Sequence, residues 1–266
     1  MRRNPLLTLL CSLLVAGLLA SCSKSATGDV DPGPYKLSYG DSILYLRPGG
    51  NNIIYPTEHR EGTYSGFPEG IEIDDLTGAI NIENSETGLR YRITHTSPTG
   101  QVTTTLVVLS GVTFADHFYH LSLGDSIALP IYNATDTRVL PLSGSSFDEG
   151  NLANSGGCSV RTDNGKINLN ETIRNGVFGF PPRNDAQKEF EIKYRINDAS
   201  GKSLNKLKVL LYWYNTTADV PAYVWEILND RTNQGVFLRN GIPTPASDLT
   251  GRAAKPRPPC VIIIAN

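Results

Sequence analysis

Asp116, His117 and His120 form the string Asp-His-x-x-His, a composition that can serve a metal ion when the imidazoles share a face. On an extended strand, residues three apart point to opposite faces, so both rings reach one ion only across a bend, and no metal site is expected. Asp74-Asp75 and Asp163-Asn164 resemble calcium-binding turns in type. Neither belongs to an Asp-x-Asp-Gly loop with a distal Glu, and Asp and Asn are ordinary turn formers. His59 and His95 have no chemical neighbours along the chain. A Gly-x-Ser-x-Gly elbow, a glycine-rich phosphate loop and a His-Glu-x-x-His helix are all missing. No catalytic residue is therefore assigned, no cofactor is implied, and a non-enzymatic role is expected. Aromatic side chains carry the remaining signal. Trp213, Tyr214 and Trp225 could present flat faces to a sugar ring. Alternation along a strand favours burying Tyr212 or Trp213 instead, and burial is the expectation.

The N-terminus carries a different chemistry. Arg2 and Arg3 precede the uncharged run Leu6 to Leu19, which is short for a bilayer span, and Leu19-Ala20-Ser21-Cys22 follows. This order resembles the lipobox of bacterial lipoproteins. It implies a signal peptide over 1–21, a diacylglycerol thioether on Cys22, and membrane attachment through acyl chains. Residues 22–34, rich in Ser, Gly, Asp and Pro, read as a flexible tether. Ser23 lacks the acidic character associated with inner-membrane retention, so outer-membrane localisation is expected, with the face undetermined.

The formal net charge is −2, and loss of Arg2 and Arg3 makes it −4, so no basic field is available for nucleic acid. Of four cysteines, Cys11 lies in the signal and Cys22 is the lipid acceptor, leaving Cys158 and Cys260. In an envelope compartment these two could form a disulfide, two buried thiols being the alternative.

What must position all these residues is a repeated unit. Tyr35-Lys-Leu-Ser-Tyr-Gly-Asp-Ser-Ile43 and Tyr119-His-Leu-Ser-Leu-Gly-Asp-Ser-Ile127 match at seven of nine positions. Gly70 and Gly78 flank one apolar alternation, and Gly157 and Gly165 flank another at the same spacing. Tyr91-Arg92-Ile93 and Tyr194-Arg195-Ile196 complete the set, so the chain is a duplication. Ile71-Glu72-Ile73 and Ile80-Asn81-Ile82 alternate about a turn, as a hairpin with one buried face does. Tyr91 and Tyr194 share a face with Ile93 and Ile196 and are expected to be structural. The alternating segments predict an all-β chain of short antiparallel strands.

The Gly70 to Ile82 hairpin, the tyrosine strand after it and the closing strand Val102 to Leu109 together resemble bacterial immunoglobulin-like and cadherin-like surface modules. The resemblance implies two tandem β-sandwiches, over 35–113 and 114–214, and is nearly silent on function. Asp41-Ser42-Ile43 and Asp125-Ser126-Ile127 also resemble the O-glycan acceptor motif of Bacteroidales envelope proteins. This makes Ser42 and Ser126 candidate modification sites, although a turn entering a strand explains the pattern equally.

Residues 215–266 have no counterpart in the repeat. Val220, Tyr223, Val224, Ile227 and Leu228 predict a short helix. Gly235 to Leu238 could be a strand, and Cys260 to Ile264 predicts a buried strand completing a sheet. This extension is expected to pack on the second unit. The functional expectation is adhesion, assembly or accessory binding with an unidentified protein or polysaccharide partner. Glycan binding for a polysaccharide uptake system, or an envelope enzyme with an unrecognised site, are the alternatives.

Overall fold

Alternation of apolar and polar side chains explains the longest strands of the computed structural model, which describes residues 35–135, 137–138, 140–228, 233–237 and 258–266. The signal peptide, Cys22 and the tether lie outside the described residues. In the first repeat the strands are β1 (Ile43–Leu44), β2 (Ile53–Ile54), β3 (Thr63–Phe67), β4 (Glu72–Ile73), β5 (Ile80–Asn81), β6 (Leu89–Thr96) and β7 (Val102–Leu109). They form a four-stranded sheet ordered β1-β7-β6-β3 and a three-stranded sheet ordered β2-β5-β4. Strand β6 is strictly alternating, and its inward residues Leu89, Tyr91 and Ile93 are fully buried.

Strand β8 (Val112–Phe114) runs across the boundary expected at 113/114. There follow β9 (His117–His120), β10 (Ile127–Ala128), β11 (Pro130–Tyr132), β12 (Ser146–Phe147), β13 (Ile167–Asn168), β14 (Ala186–Arg195) and β15 (Asn205–Tyr214). Strand β16 (Cys260–Ile264) comes from the chain's end, and the five-stranded sheet runs β12-β14-β15-β16-β9. Two small pairs, β10 with β13 and β11 with β8, complete the strands. The chain is thus mainly β.

The duplication persists in fine detail. Gly78 N–H donates to Asp74 O at 2.9 Å, and Gly165 N–H donates to Arg161 O at 2.8 Å. Both glycines have positive φ, and a Cβ on either would sit within 3 Å of an aromatic ring, Tyr64 or Phe147. Left-handed backbone and close approach of a ring both select glycine here.

Three short helices interrupt the second repeat and its extension: α1 (Leu152–Ser155), α2 (Leu169–Arg174) and α3 (Ala222–Ile227). Helix α3 matches the predicted tail helix and buries Val224. Helices α1 and α2 were not expected. The Asp148 carboxylate accepts from Ala153 N and Asn154 N at the start of α1, and Asn168 Oδ1 accepts from Glu171 N at the start of α2. Asn168 followed by Glu171 is the N-cap signature that marks α2 in the sequence.

The five-stranded sheet is covered on both faces. Leu207, Val209, Leu211 and Trp213 of β15 join Val261 and Ile263 of β16 in the main core. Tyr212, Tyr214, Cys260, Ile262 and Ile264 pack on the other face beneath α3. A strand covered on both sides needs apolar residues at every position, which is why Cys-Val-Ile-Ile-Ile does not alternate.

The described residues from Lys36 onward belong to one compact unit, and the repeats are joined by specific bonds. Tyr194 OH lies 3.1 Å from Thr87 Oγ1 and accepts from Val112 N at 3.0 Å. The extension reaches the first repeat as well as the second. Strand β3 pairs only with Arg92–Thr96 of β6, and beyond its end Arg90 N donates to Val236 O at 2.9 Å. Asn133 Nδ2 donates to the carbonyls of Gly88 and Val236. Gly235–Phe237 is bonded in this way but is not a strand, and Leu238 lies outside the described residues.

Candidate functional site

A groove of about 460 Å³ lies beside the first copy of the Gly-Asp-Ser-Ile motif. Asp41, Ser42, Tyr45, Arg47, Asn51 and Asn52 supply its polar lining, Ile43, Leu44 and Ile54 its apolar floor, and Ala199 of the second repeat closes one side. The Pro-Gly-Gly-Asn-Asn stretch must turn tightly, and its amides brace the turn. Asn52 Oδ1 accepts from Arg47 N at 2.8 Å, and Asn51 Oδ1 accepts from Ile53 N at 3.2 Å. With both amides so engaged, Asp41, Ser42 and Arg47 are exposed at the groove and Tyr45 is half-buried.

Behind Ala199, Asp198 organises the junction. Its Oδ2 accepts from Ser110 Oγ at 2.7 Å and from Tyr132 OH at 2.9 Å, while its Oδ1 accepts from Ser200 N. Arg138 lies over the Tyr132 ring, 5.9 Å from its centroid, and donates to Asn197 O. Burial and the Asp198 charge raise the Tyr45 phenol above its ordinary range, and burial raises Tyr132 likewise. Both phenols therefore remain protonated and act as hydrogen-bonding groups at neutral pH. A cation, a carboxylate, a phenol and a hydroxyl around an apolar floor suit a polyhydroxylated ligand.

The aromatic trio is not brought together. Trp213 and Tyr214 are adjacent in β15 and face opposite sides of the sheet, both buried. Trp213 stacks on Phe178, and its Nε1 donates to Asn215 Oδ1 at 3.2 Å. Trp225 on α3 packs on Phe118, with ring centroids 4.4 Å apart, and keeps 45% exposure.

Cys158 and Cys260 are both buried, and no disulfide joins them. Cys158 lies in the main core and Cys260 on the α3 side, so the sheet itself separates the two thiols. Burial pushes the Cys158 thiol up to about 12, which makes it a poor nucleophile. Ser42 is exposed and Ser126 half-buried, and their carbonyls accept from different elements, Val108 N and Leu169 N.

The histidines and turn carboxylates serve local structure. His117 pairs with Asp125 at 3.5 Å on the surface, and Asp116 Oδ1 accepts from Cys260 N at 2.7 Å. His95 Nε2 lies 3.1 Å from Glu61 O, and His59 Nε2 lies 3.1 Å from Leu76 O. Asp74 Oδ1 accepts from the N–H groups of Leu76 and Thr77 and from the Thr77 hydroxyl, which holds its carboxyl below the ordinary range. Asp163 is lowered by Arg161. Among the described residues, no group of three or more His, Cys, Asp or Glu is placed to hold a metal.

Tyr45, Arg47, Asn51 and Asn52 were not singled out from the sequence. Their turn residues signal only a loop, and the groove needs Ala199, more than 140 positions away. Compared with protein-family models and with curated proteins, the chain matches none.

Proposed function

We propose that this chain is a lipid-anchored protein of the outer membrane, attached through Cys22, with a non-enzymatic role in adhesion, assembly or accessory binding. The supporting observation is how the chemistry-bearing side chains are used. Tyr194, Asn133 and Asp198 bond the two repeats together, Asp148 caps a helix, and Asp74 closes a turn. Residues that could have done chemistry are engaged in the scaffold. The body is inferred to be two immunoglobulin-like sandwiches over 35–113 and 114–214, with 215–266 added to them. Its sheets of four, three and five strands are compatible with that arrangement. Metabolic labelling with a fatty-acid analogue tests the anchor: label on the wild-type chain should vanish in Cys22→Ala, and unchanged labelling rejects it.

Accessory glycan binding is the second reading, favoured by the mixed lining of the groove at Asp41–Arg47. Screening the chain on a glycan array, with Arg47→Ala alongside, tests it. Loss of any signal in the variant supports the groove, and signal retained there moves the site elsewhere.

A further inference from the structure

Equivalent cations are neutralised in one repeat and not in the other. By the register of Tyr91-Arg92-Ile93 on Tyr194-Arg195-Ile196, Arg92 corresponds to Arg195 and Arg90 to Lys193. In the second repeat Arg195 Nε lies 3.6 Å from a Glu149 carboxylate oxygen, and Lys193 Nζ lies 3.9 Å from one of Glu191. In the first, neither arginine pairs with a carboxylate among the described residues. Gly88 stands where the second repeat has Glu191. We propose that Arg90 and Arg92 form an oxyanion site on the outer face of the four-stranded sheet, and that it takes the carboxylate or sulfate groups of an acidic polysaccharide.

The strands position both guanidinium groups. Arg90 and Arg92 alternate with the buried Leu89, Tyr91 and Ile93 of β6, so both leave the core on one face, about 6.4–6.8 Å apart along the strand. Both are half-buried. Phe67 of β3 and Leu106 of β7 stand directly opposite Arg92 on its two sides. Arg90 Nε donates to Gly235 O at 2.9 Å, which fixes that side chain and leaves its terminal nitrogens open to a ligand. Burial and the Arg92 charge both lower the Arg90 guanidinium, which stays charged at neutral pH. Two like charges held at a partly desolvated surface repel, and an anion between them relieves the repulsion.

The surroundings select the ligand. None of β3, β6 and β7 contains an acidic residue, whereas β14 carries Glu189 and Glu191. Guanidinium groups suit oxyanions because their N–H groups match the oxygens two at a time. The cleft between the two arginines, Phe67, Leu106 and Gly235 measures about 10 Å³, room for one small polar group and not for a sugar ring. The rest of the ligand must lie over the sheet. There Ser65, Thr94 and Thr104 stand side by side in register, a row of hydroxyls next to the half-buried Phe67 ring. Hydroxyls beside an aromatic ring suit a saccharide. A net charge of −2 supplies no long-range field for nucleic acid. The site stands apart from the groove at Asp41–Arg47 and does not rest on it.

Calorimetric titration of the full chain with oligogalacturonate and with a heparin oligosaccharide provides the test, a neutral maltooligosaccharide serving as control. At least one acidic probe should bind and the neutral one should not. Arg92→Gln should weaken that binding about tenfold or more. Leu106→Glu sets a carboxylate opposite Arg92, as Glu149 stands by Arg195, and should weaken it similarly. Arg195→Gln should leave it unchanged. Near-UV circular dichroism establishes that each variant is folded. No binding of either acidic probe, or binding unchanged in both Arg92→Gln and Leu106→Glu, overturns the proposal. Inorganic phosphate and phosphatidylglycerol vesicles are titrated in parallel. Arginine-dependent binding of either one, with none of the acidic saccharides, also overturns it. Arg47→Ala should not alter this binding, so failure of the groove and failure of this site are distinguishable.

Discussion

Tyr91 and Tyr194 occupy the same place in the two repeats, each fully buried in a long alternating strand, yet their hydroxyls do different work. Tyr91 OH turns back to Glu86 O at 2.7 Å, five residues upstream, and closes its own unit. Tyr194 OH reaches out of its unit to Thr87 and Val112. The edges diverge in the same sense, β1 meeting β7 directly while β16 comes between β9 and β15. At this edge the first repeat closes on its own last strand, whereas the second takes in a strand from the C-terminal extension. Duplicated strands conserve their pattern because the pattern is local. What each strand edge or hydroxyl meets depends on what lies next to the copy.

That contrast can be broken most forcefully at β16. Ile263 is fully buried in the main core, so Ile263→Ala should lower unfolding free energy by about 2–5 kcal/mol. Half-buried Ile43, its counterpart at the first repeat's edge, should cost less when truncated. Urea titration of both variants checks the order, and equal losses would mean that β16 is not integral to the second sheet.

The next largest effects belong to the junction. A Cβ on Gly111 would lie 2.7 Å from both Thr87 Oγ1 and Tyr194 OH, so Gly111→Ala should cost about 1–3 kcal/mol. Tyr194→Phe leaves Val112 N–H buried without its acceptor, for a similar cost of about 1–3 kcal/mol. Tyr91→Phe removes one bond to a carbonyl and should cost about 0.5–1.5 kcal/mol. Calorimetry of the pair sharpens the comparison, because only Tyr194→Phe should separate one thermal transition into two.

Thiol chemistry offers a finer probe. Cys158 and Cys260 should both react with a thiol reagent in denaturant and neither in native protein at pH 8, since burial keeps Cys158 protonated there. A mass two daltons low in unreduced, denatured protein would instead reveal a bridge.

The smallest expected effect is the pH response of the two equivalent turns. Asp74 and Asp163 both have folded-state values below the ordinary 3.8, so the stability they add is present above that value. It is lost as pH falls through the lowered values. Asp74 is held by the backbone and hydroxyl of Thr77, and Asp163 by the Arg161 guanidinium. Salt should therefore weaken only the Asp163 contribution, both carboxylates being exposed. Comparing acid titrations of Asp74→Asn and Asp163→Asn at low and high salt checks this.

Much of the architecture is legible in the residues. The alternation in Leu89–Ile93 and Phe190–Ile196 predicts β6 and β14, the Asp74–Gly78 turn predicts the β4–β5 hairpin, and the apolar run Cys260–Ile264 predicts a buried strand. Helices α1 and α2 are too short to show a period, and only the Asn168–Glu171 cap marks one of them. The groove escapes because Asp41–Asn52 and Ala199 meet only after folding. The expected bridge between Cys158 and Cys260 fails because strand parity puts Cys260 on the α3 side of its sheet.

By itself the sequence determined the duplication, the strand periods, the glycine turns at Gly78 and Gly165, and the burial of Tyr91 and Tyr194. These are short-range consequences of side-chain period and backbone sterics, written within a few residues of each other. Tertiary structure alone decided that β16 enters between β9 and β15, that Val236 meets Arg90, and that Tyr194 bonds across the junction. Pairing across a hundred residues is a competition between sheet edges with similar local patterns. Only the packed faces and buried polar groups of the folded chain select the winner.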